Sequence, residues 1–304
     1  MSTDPVITHR TVSANQLRFH VAECGDGDRL ALCLHGFPEC WYSWRAQLPL
    51  LARLGYRAWA PDLRGYGGSD TPGEMRDYQI ETLLEDVAGL IDAAGARETL
   101  LIAHDWGAII AWWFAIRRVR PLQRLVIMNV PHPAPFDREL RRWKQLRRSW
   151  YGVFFQIPRL PEALMRARDY AAIREAFRGS AIDKRRFPDD VLQVYRDNAA
   201  RPGGLTAMIN YYRAYARGGG GNRQRALGYG SIDIPTLMLW GENDVALCKE
   251  TTYGTERWVS NLTLRYLPRV SHWVQQEQPE IVNAMLEAWL ADRAVPEMHQ
   301  LENA

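Results

Sequence analysis

The sequence predicts an α/β fold, a mostly parallel central sheet with helices on both faces and an inserted helical lid. Three observations carry this: short β-rich runs alternate with helical patterns through the first 130 residues, a strand-free helical stretch follows to about residue 230, and strands resume from Pro235. Strand and helix in alternation require crossover connections, which set strands parallel and cover both sheet faces.

In chain order, Leu17 to Cys24, Leu30 to Leu34, Tyr56 to Ala60, Leu100 to Ala103 and Leu125 to Asn129 read as strands. Between them Tyr42 to Leu54 reads as a helix. Ile80 to Ala94 is a clearer one, with Leu83, Leu84, Val87, Leu90 and Ile91 at helical spacing beside Glu81, Glu85 and Asp86. Trp106 to Arg117 is apolar all round, which places it against the sheet. Val130-Pro-His-Pro-Ala-Pro135 is a proline-dense hinge. It divides a core domain, residues 1–134 and 231–304, from a lid, residues 135–230. The first lid helix, predicted over Asp137 to Ser149, sets Leu140, Trp143 and Leu146 on one face and six cations, from Arg138 to Arg148, elsewhere. Such cations usually form a solvated face, the other readings being an anion or membrane site. Gly218 to Gly221 is expected to end the lid as a flexible loop. Thr236 to Trp240 and Leu262 to Leu267 complete the sheet, and a helix over Pro279 to Ala291 closes the pattern.

With 304 residues, 47% of them hydrophobic and 24% charged, the chain can build one sizeable core plus a subdomain. A net charge of +3 without a recognisable basic motif argues against nucleic acid and for small-molecule chemistry. The four cysteines form no C-x-x-C pair, so reduced, packed thiols are expected. The N-terminus lacks the basic flank and apolar stretch of a secretory signal, and no segment approaches the roughly 18 apolar residues of a membrane span. A cytoplasmic protein, monomer or homodimer, is the resulting expectation. Many of the 12 Trp and 13 Tyr fall between about residues 41 and 155, which suits ordinary core packing or an aromatic-lined pocket.

The chemistry concentrates in Ala103-His-Asp-Trp-Gly-Ala108, between a strand and a buried helix. A tight strand-to-helix turn of this kind holds its central residue, here Asp105, in a strained and exposed conformation and needs small neighbours. The helix start directs N–H groups and a positive dipole end at the same point, favouring an anion. A carboxylate is ionised at neutral pH and needs no base to make it a nucleophile. Standing alone, such an Asp would also suit a helix cap. Three further segments lie at strand ends, however: Leu34-His-Gly-Phe-Pro-Glu39, whose Phe37 N–H would form an oxyanion hole with that of Trp106; Trp240-Gly-Glu-Asn-Asp244, supplying an acid; and Val270-Ser-His-Trp273, supplying His272. Nucleophile, acid, histidine is the chain order this architecture uses.

These motifs, with Asp62-Leu-Arg-Gly-Tyr-Gly67, resemble those of the α/β-hydrolase-fold epoxide hydrolases over nearly the whole chain. Two lid segments extend the resemblance. Trp150-Tyr-Gly-Val-Phe-Phe-Gln-Ile-Pro158 is similar to the family segment bearing one ring-opening tyrosine, which implies that role for Tyr151. Asn210-Tyr-Tyr-Arg213 is similar to the segment bearing the other, which implies Tyr212. Ala103 stands where glycine is commoner. The resemblance implies opening of an apolar epoxide to a vicinal diol through an Asp105 ester, which water activated by His272 and Asp244 hydrolyses, without metal or cofactor. Glu39 is implied as a water-positioning group, His104 flanks the site, and Trp41 and Tyr42 are candidates to line the pocket. An aspartate suits attack on an sp³ carbon because the resulting ester can be hydrolysed, whereas a serine ether could not. A haloalkane dehalogenase would share the nucleophile, with Trp106 gripping halide, but has less need of paired tyrosines. A haloacid dehalogenase would place arginines where Trp106 and Ile109 stand, and a catalytically silent ligand-binding relative would be expected to lose part of this set. Asp62 and Arg64 are expected to form a local ion pair, and His132 to be structural.

Overall fold

The computed structural model describes residues 5–302, so Met1 to Asp4 of the N-terminal stretch lie outside the described residues. Eight strands form one sheet: β1 (Thr8–Ala14), β2 (Leu17–Cys24), β3 (Arg29–Leu34), β4 (Tyr56–Pro61), β5 (Glu98–His104), β6 (Arg124–Met128), β7 (Thr236–Gly241) and β8 (Leu262–Leu267). Their spatial order is β1-β2-β4-β3-β5-β6-β7-β8. The β1–β2 and β2–β4 pairs are antiparallel and all others parallel. β1 was not legible in the sequence, because an edge strand with only Val12 and Ala14 buried leaves little alternation to see.

The central strands are apolar on both sides, and the pleat sorts them. Leu30, Leu32, Leu34, Leu101, Ala103, Leu125 and Ile127 face a core shared with α2 (Ile80–Ala94) and α3 (Asp105–Arg117). Ala31, Cys33, Leu100, Ile102, Val126 and Met128 face the opposite core, shared with α1 (Gln47–Arg53), α11 (Val274–Glu277) and α12 (Pro279–Leu290). Residues i and i+2 share a face of a strand, which produces this division. The helix expected over residues 42–54 is a 3-10 turn, Trp41–Trp44, followed by α1. All four cysteines are buried and free.

Between β6 and β7 the chain is helical: α4 (Pro133–Glu139), α5 (Trp143–Arg148), α6 (Trp150–Phe154), α7 (Leu160–Arg174), α8 (Asp189–Ala200), α9 (Gly204–Ala216) and α10 (Gly220–Ala226). The single helix expected over 137–149 is thus two pieces, the end of α4 and α5. Glu139 turns inward, buried beside Arg138 and Arg142, and the chain bends there. Buried Gln145 donates to Ser149 Oγ and Ala246 O and accepts from Cys248 N–H, which sets the outward face of α5. As a result Leu140 lines an internal cavity while Trp143 and Leu146 face solvent, so the three do not share a buried stripe. Gly220 and Gly221, expected in a flexible loop, open α10, whose Arg223 and Gln224 bond to Glu81 of α2. Among the described residues no helix is long and apolar enough to cross a membrane.

Asp62 and Arg64 do not pair with each other. Asp62 accepts from His20 Nδ1 at 2.7 Å and from the Trp41 and Gly68 amides, each at 2.9 Å. Arg64 instead makes a two-pronged pair with Asp86 of α2, Nε to Oδ2 at 2.7 Å, with both side chains buried. Arg64→Ala would leave the Asp86 carboxyl, which burial already pushes above its ordinary range, buried and short of donors. It should lower the unfolding free energy measured in urea by about 3–5 kcal/mol.

Candidate active site

β5 ends at His104 in extended conformation, and α3 begins at once with Asp105 at φ 47°. A non-glycine residue with positive φ at such a junction is strained and is held by its surroundings. Two glycines permit the approach. A Cβ on Gly36 would lie 2.2 Å from Asp105 Oδ1, and one on Gly107 would lie 2.3 Å from Leu34 O. The loop after β3 therefore packs directly on the elbow, and Phe37 N–H donates to Asp105 Oδ1 at 2.6 Å. The Trp106 N–H belongs to the first turn of α3, where helix geometry offers no internal acceptor.

The loop after β8 brings His272 to the same point. Its Nε2 lies 3.5 Å from Asp105 Oδ2, and its Nδ1 is 2.6 Å from Asp244 Oδ2. Asp244, after β7, is saturated: Oδ1 accepts from the Ala246 and Leu247 amides at 2.7 and 2.9 Å, and Oδ2 also accepts from Asn129 Nδ2 at 2.8 Å. Asn129 follows β6 at φ 44°, and its Oδ1 accepts from Gly241 N–H at 2.7 Å, so it clips the β6 and β7 ends together beneath the histidine. In the sequence Asn129 stands only as the end of a strand. A buried amide closing the apolar run Leu125–Met128 was the available signal.

Burial opposes charge on all three groups, yet mutual attraction prevails. For Asp105, burial pushes the carboxyl up, but the His272 hydrogen bond and charge and the Phe37 amide bring it below the ordinary carboxylate range. Asp244 is likewise held low by His272 and Asn129 against its burial. Burial would lower His272, but Asp244 and Asp105 raise it to about 10. The resting arrangement is carboxylate, imidazolium, carboxylate. Because the His272 pKa is raised on folding, its contribution to stability is complete below an unfolded value of about 6.5 and is lost as pH climbs through about 10.

Asp105 opens onto a cavity of about 130 Å³ whose walls include Trp106, Ile109, Phe136, Leu140, Tyr151 and Tyr212. The two tyrosine rings stand perpendicular, 6.0 Å apart. Burial and the Asp105 charge raise both phenols above their ordinary range, so both keep their protons at rest. Arg213, beside Tyr212 on α9, donates from Nε to Phe155 O at 2.9 Å and from Nη2 to Ile157 O at 2.8 Å, and pairs with buried Glu162. Gln156 Nε2 donates to Tyr212 O at 3.3 Å. Tyr211 faces away, its hydroxyl donating to Arg64 O at 2.8 Å.

Other expected site residues sit further back. Glu39 is fully buried; Oε2 accepts from Gly36 N–H and His104 Nδ1, each at 2.9 Å, and Oε1 from Gln275 and Gln276 at 3.0 and 2.9 Å. Four donors fill a carboxylate's usual acceptor positions. Burial pushes Glu39 up, but His104 and the Gly36 amide bring it below the ordinary range. His104 Nε2 lies 2.9 Å from His272 O, so Glu39 reaches the histidine loop through His104. Trp41 does not line the cavity. Its amide is committed to Asp62 and its ring packs edge-on against His9, 4.8 Å away, because the 3-10 turn carries it to the other side of the β3 loop. His132 is packed between Trp112 and Trp258, its Nδ1 accepting from Ala134 N–H, as expected of a structural residue.

Removing one of the two anions that flank His272 should lower its pKa. In nitrogen NMR the imidazolium is expected to persist well above neutral pH, and Asp105→Asn to move its titration down toward the ordinary histidine range. An unshifted midpoint would contradict the pairing.

A family model described as alpha/beta hydrolase fold matches residues 32–279. Epoxide hydrolase 4 of Mus musculus is 38% identical over 283 residues, covering 91% of this chain and 77% of its own. AB hydrolase superfamily protein YfhM of Bacillus subtilis (strain 168) is 36% identical, covering 93% and 97%. Among solved structures, the epoxide hydrolase of Bacillus megaterium in complex with an inhibitor superposes with a TM-score of 0.85 at 30% identity, covering 93% of this chain and 100% of that one. With the elbow, the strand order and the helical insertion between β6 and β7, these similarities show that the chain belongs to the α/β-hydrolase-fold epoxide hydrolase family.

Proposed function

We propose that this chain converts an epoxide and water to a vicinal diol through a covalent ester on Asp105, with residues 135–230 serving as the lid. The observation that carries the reading is one cavity lined by an ionised carboxylate at a strained elbow and by two protonated tyrosines.

Asp105 Oδ1 is held by the Phe37 amide, which leaves Oδ2 to attack an epoxide carbon. The C–O bond of the ring breaks as the C–Oδ2 bond forms, and the departing oxygen takes a proton from Tyr151 or Tyr212. Ester formation removes the Asp105 charge, one of the two that keep His272 protonated. The imidazolium can then restore the tyrosine proton and become a base. Water gives its proton to His272 Nε2 and adds to the ester carbonyl carbon. Oδ1 carries the developing charge, facing the Phe37 amide with which it is already bonded and the Trp106 amide. Collapse expels the alkoxide of the diol, and the proton released restores the product hydroxyl. In this scheme Glu39 positions His104 and the histidine loop. The volume near Asp105 and its apolar, aromatic walls favour a compact epoxide with one alkyl or aryl arm.

A second reading draws on Trp106, whose buried Nε1–H lies beside Tyr212 in the cavity wall and could donate to halide, as in a haloalkane dehalogenase. Halide release from haloalkanes without diol formation from epoxides would favour it.

Single turnover with styrene oxide in ¹⁸O water should place label in the Asp105 carboxylate by mass spectrometry; an unlabelled carboxylate with diol formed would eliminate the ester. His272→Gln should accumulate protein heavier by one substrate mass. Tyr151→Phe with Tyr212→Phe should slow epoxide opening by about 10²–10⁴-fold while the fold persists by circular dichroism.

A further inference from the structure

Among the described residues, twelve large apolar side chains are exposed, and seven of them lie between Trp143 and Leu164. Their positions, 143, 146, 150, 153, 157, 160 and 164, alternate steps of three and four. On a helix that spacing makes one stripe, which here runs over α5 and α6 from Trp143 to Val153, while Ile157 lies in the turn that follows and Leu160 and Leu164 on the first turns of α7. Ser149, between α5 and α6, keeps near-helical torsions of −84° and 13°, so the stripe runs on across that joint. Trp143 is 73% exposed and Trp150 63%. Single exposed apolar residues need no explanation; a continuous row of this kind marks a surface that meets something.

The charge around the stripe says what. Residues 140–168 hold eight Arg and Lys and one acid, Glu162, a net +7 in a chain whose total is +3. Glu162 is buried in its pair with Arg213, and the flanking Glu139 is buried beside Arg138 and Arg142. The cation nearest an outside acid is Lys144, which pairs with Glu250. Arg141, Arg147, Arg159 and Arg166 are exposed and make no ion pair among the described residues. Next to the stripe, Arg159, Arg166, Arg217 and Thr206 line an open cleft of about 500 Å³. In it Glu162 is already matched by Arg213, so its remaining charge is positive.

We infer that this lid face, from α5 to the start of α7, docks on the surface of an anionic phospholipid bilayer, with Trp143, Trp150 and Val153 in the interfacial layer and the arginine cleft receiving lipid phosphates. Tryptophan rings favour the boundary between headgroups and acyl chains, and cations beside them meet the negative surface. A second copy of the chain fits less well, since twofold pairing would set one basic face against another. Tyr151 of α6, within this segment, and Phe136 and Leu140 just before it line the Asp105 cavity, so docking would set that cavity beside the lipid phase. Binding stands independently of the reaction proposed above.

The test uses the full chain with vesicles of phosphatidylcholine alone or with one third phosphatidylglycerol, read by co-sedimentation and by quenching of tryptophan fluorescence with brominated lipid. Strong binding to the anionic vesicles is expected, at least tenfold weaker on phosphatidylcholine and reduced by high salt. Each basic residue near the surface contributes about fivefold, so Arg141→Gln, Arg147→Gln and Arg166→Gln together should weaken binding on the order of a hundredfold. Trp143→Ser with Trp150→Ser should abolish the bromine quenching, with an unchanged circular dichroism spectrum showing that the lid is folded. Equal affinity for both vesicles, no binding to either, or self-association that the tryptophan variants abolish in place of vesicle binding would each overturn the inference.

Discussion

A buried carboxylate and a half-buried one share one imidazole, and much of the architecture exists to make that arrangement bearable. Ionised groups taken out of water carry a penalty that only close opposite charge and fixed donors can offset. Asp244 meets it with two amides, an asparagine and the histidine; Asp105 meets it with one amide and a histidine edge at longer range. The asymmetry is chemically useful. The fully coordinated carboxylate is inert and orients the ring, while the sparsely coordinated one, in a strained turn, retains a free oxygen. Parallel strands place the four loop ends at one edge of the sheet, the usual position of sites in such folds.

The strands β2 to β8, α2 and the four strand-end motifs were legible because each rests on local periodicity or on a residue next to a strand terminus. Asp105, Asp244 and His272 come together for that reason: three loops leaving parallel strands on the same side cannot place them far apart. The misses share a different cause. The bend at Glu139, the partners of Asp62 and Arg64, and the place of Trp41 depend on which segments cross nearby, and no local pattern encodes that. Asn129 was visible as a residue but not as a partner, since its bonds to Gly241 and Asp244 span 112 and 115 positions. Tyr151 and Tyr212 were reached through family resemblance alone, as nothing in the periodicity of the lid separates Tyr212 from Tyr211.

The lid departs from the usual division of polar outside and apolar inside. Its inner surface packs Phe155, Met165, Phe177, Tyr195 and Met208 into the same core as α2 and α3, so it is an extension of the fold. Its outer surface nevertheless keeps large apolar side chains in water, where they stabilise nothing in the isolated chain. Gln145, buried and fully bonded, enforces this by orienting α5 with Trp143 and Leu146 outward.

Arg213 ties the lid internally in a way that bears on how it can move. Its guanidinium joins α9 to the carbonyls of Phe155 and Ile157 and to Glu162, and Gln156 adds a bond to the backbone of Tyr212. The helix carrying Tyr212 and the segment just after Tyr151 are thereby fastened to each other at several points, and the same helix is tied to the core through Tyr211 and Tyr215. The two phenols therefore form a single jaw. Any movement that widens the gap between that jaw and Asp105 must also break the Tyr211 bond to Arg64 O, while the spacing of the two rings travels with the jaw.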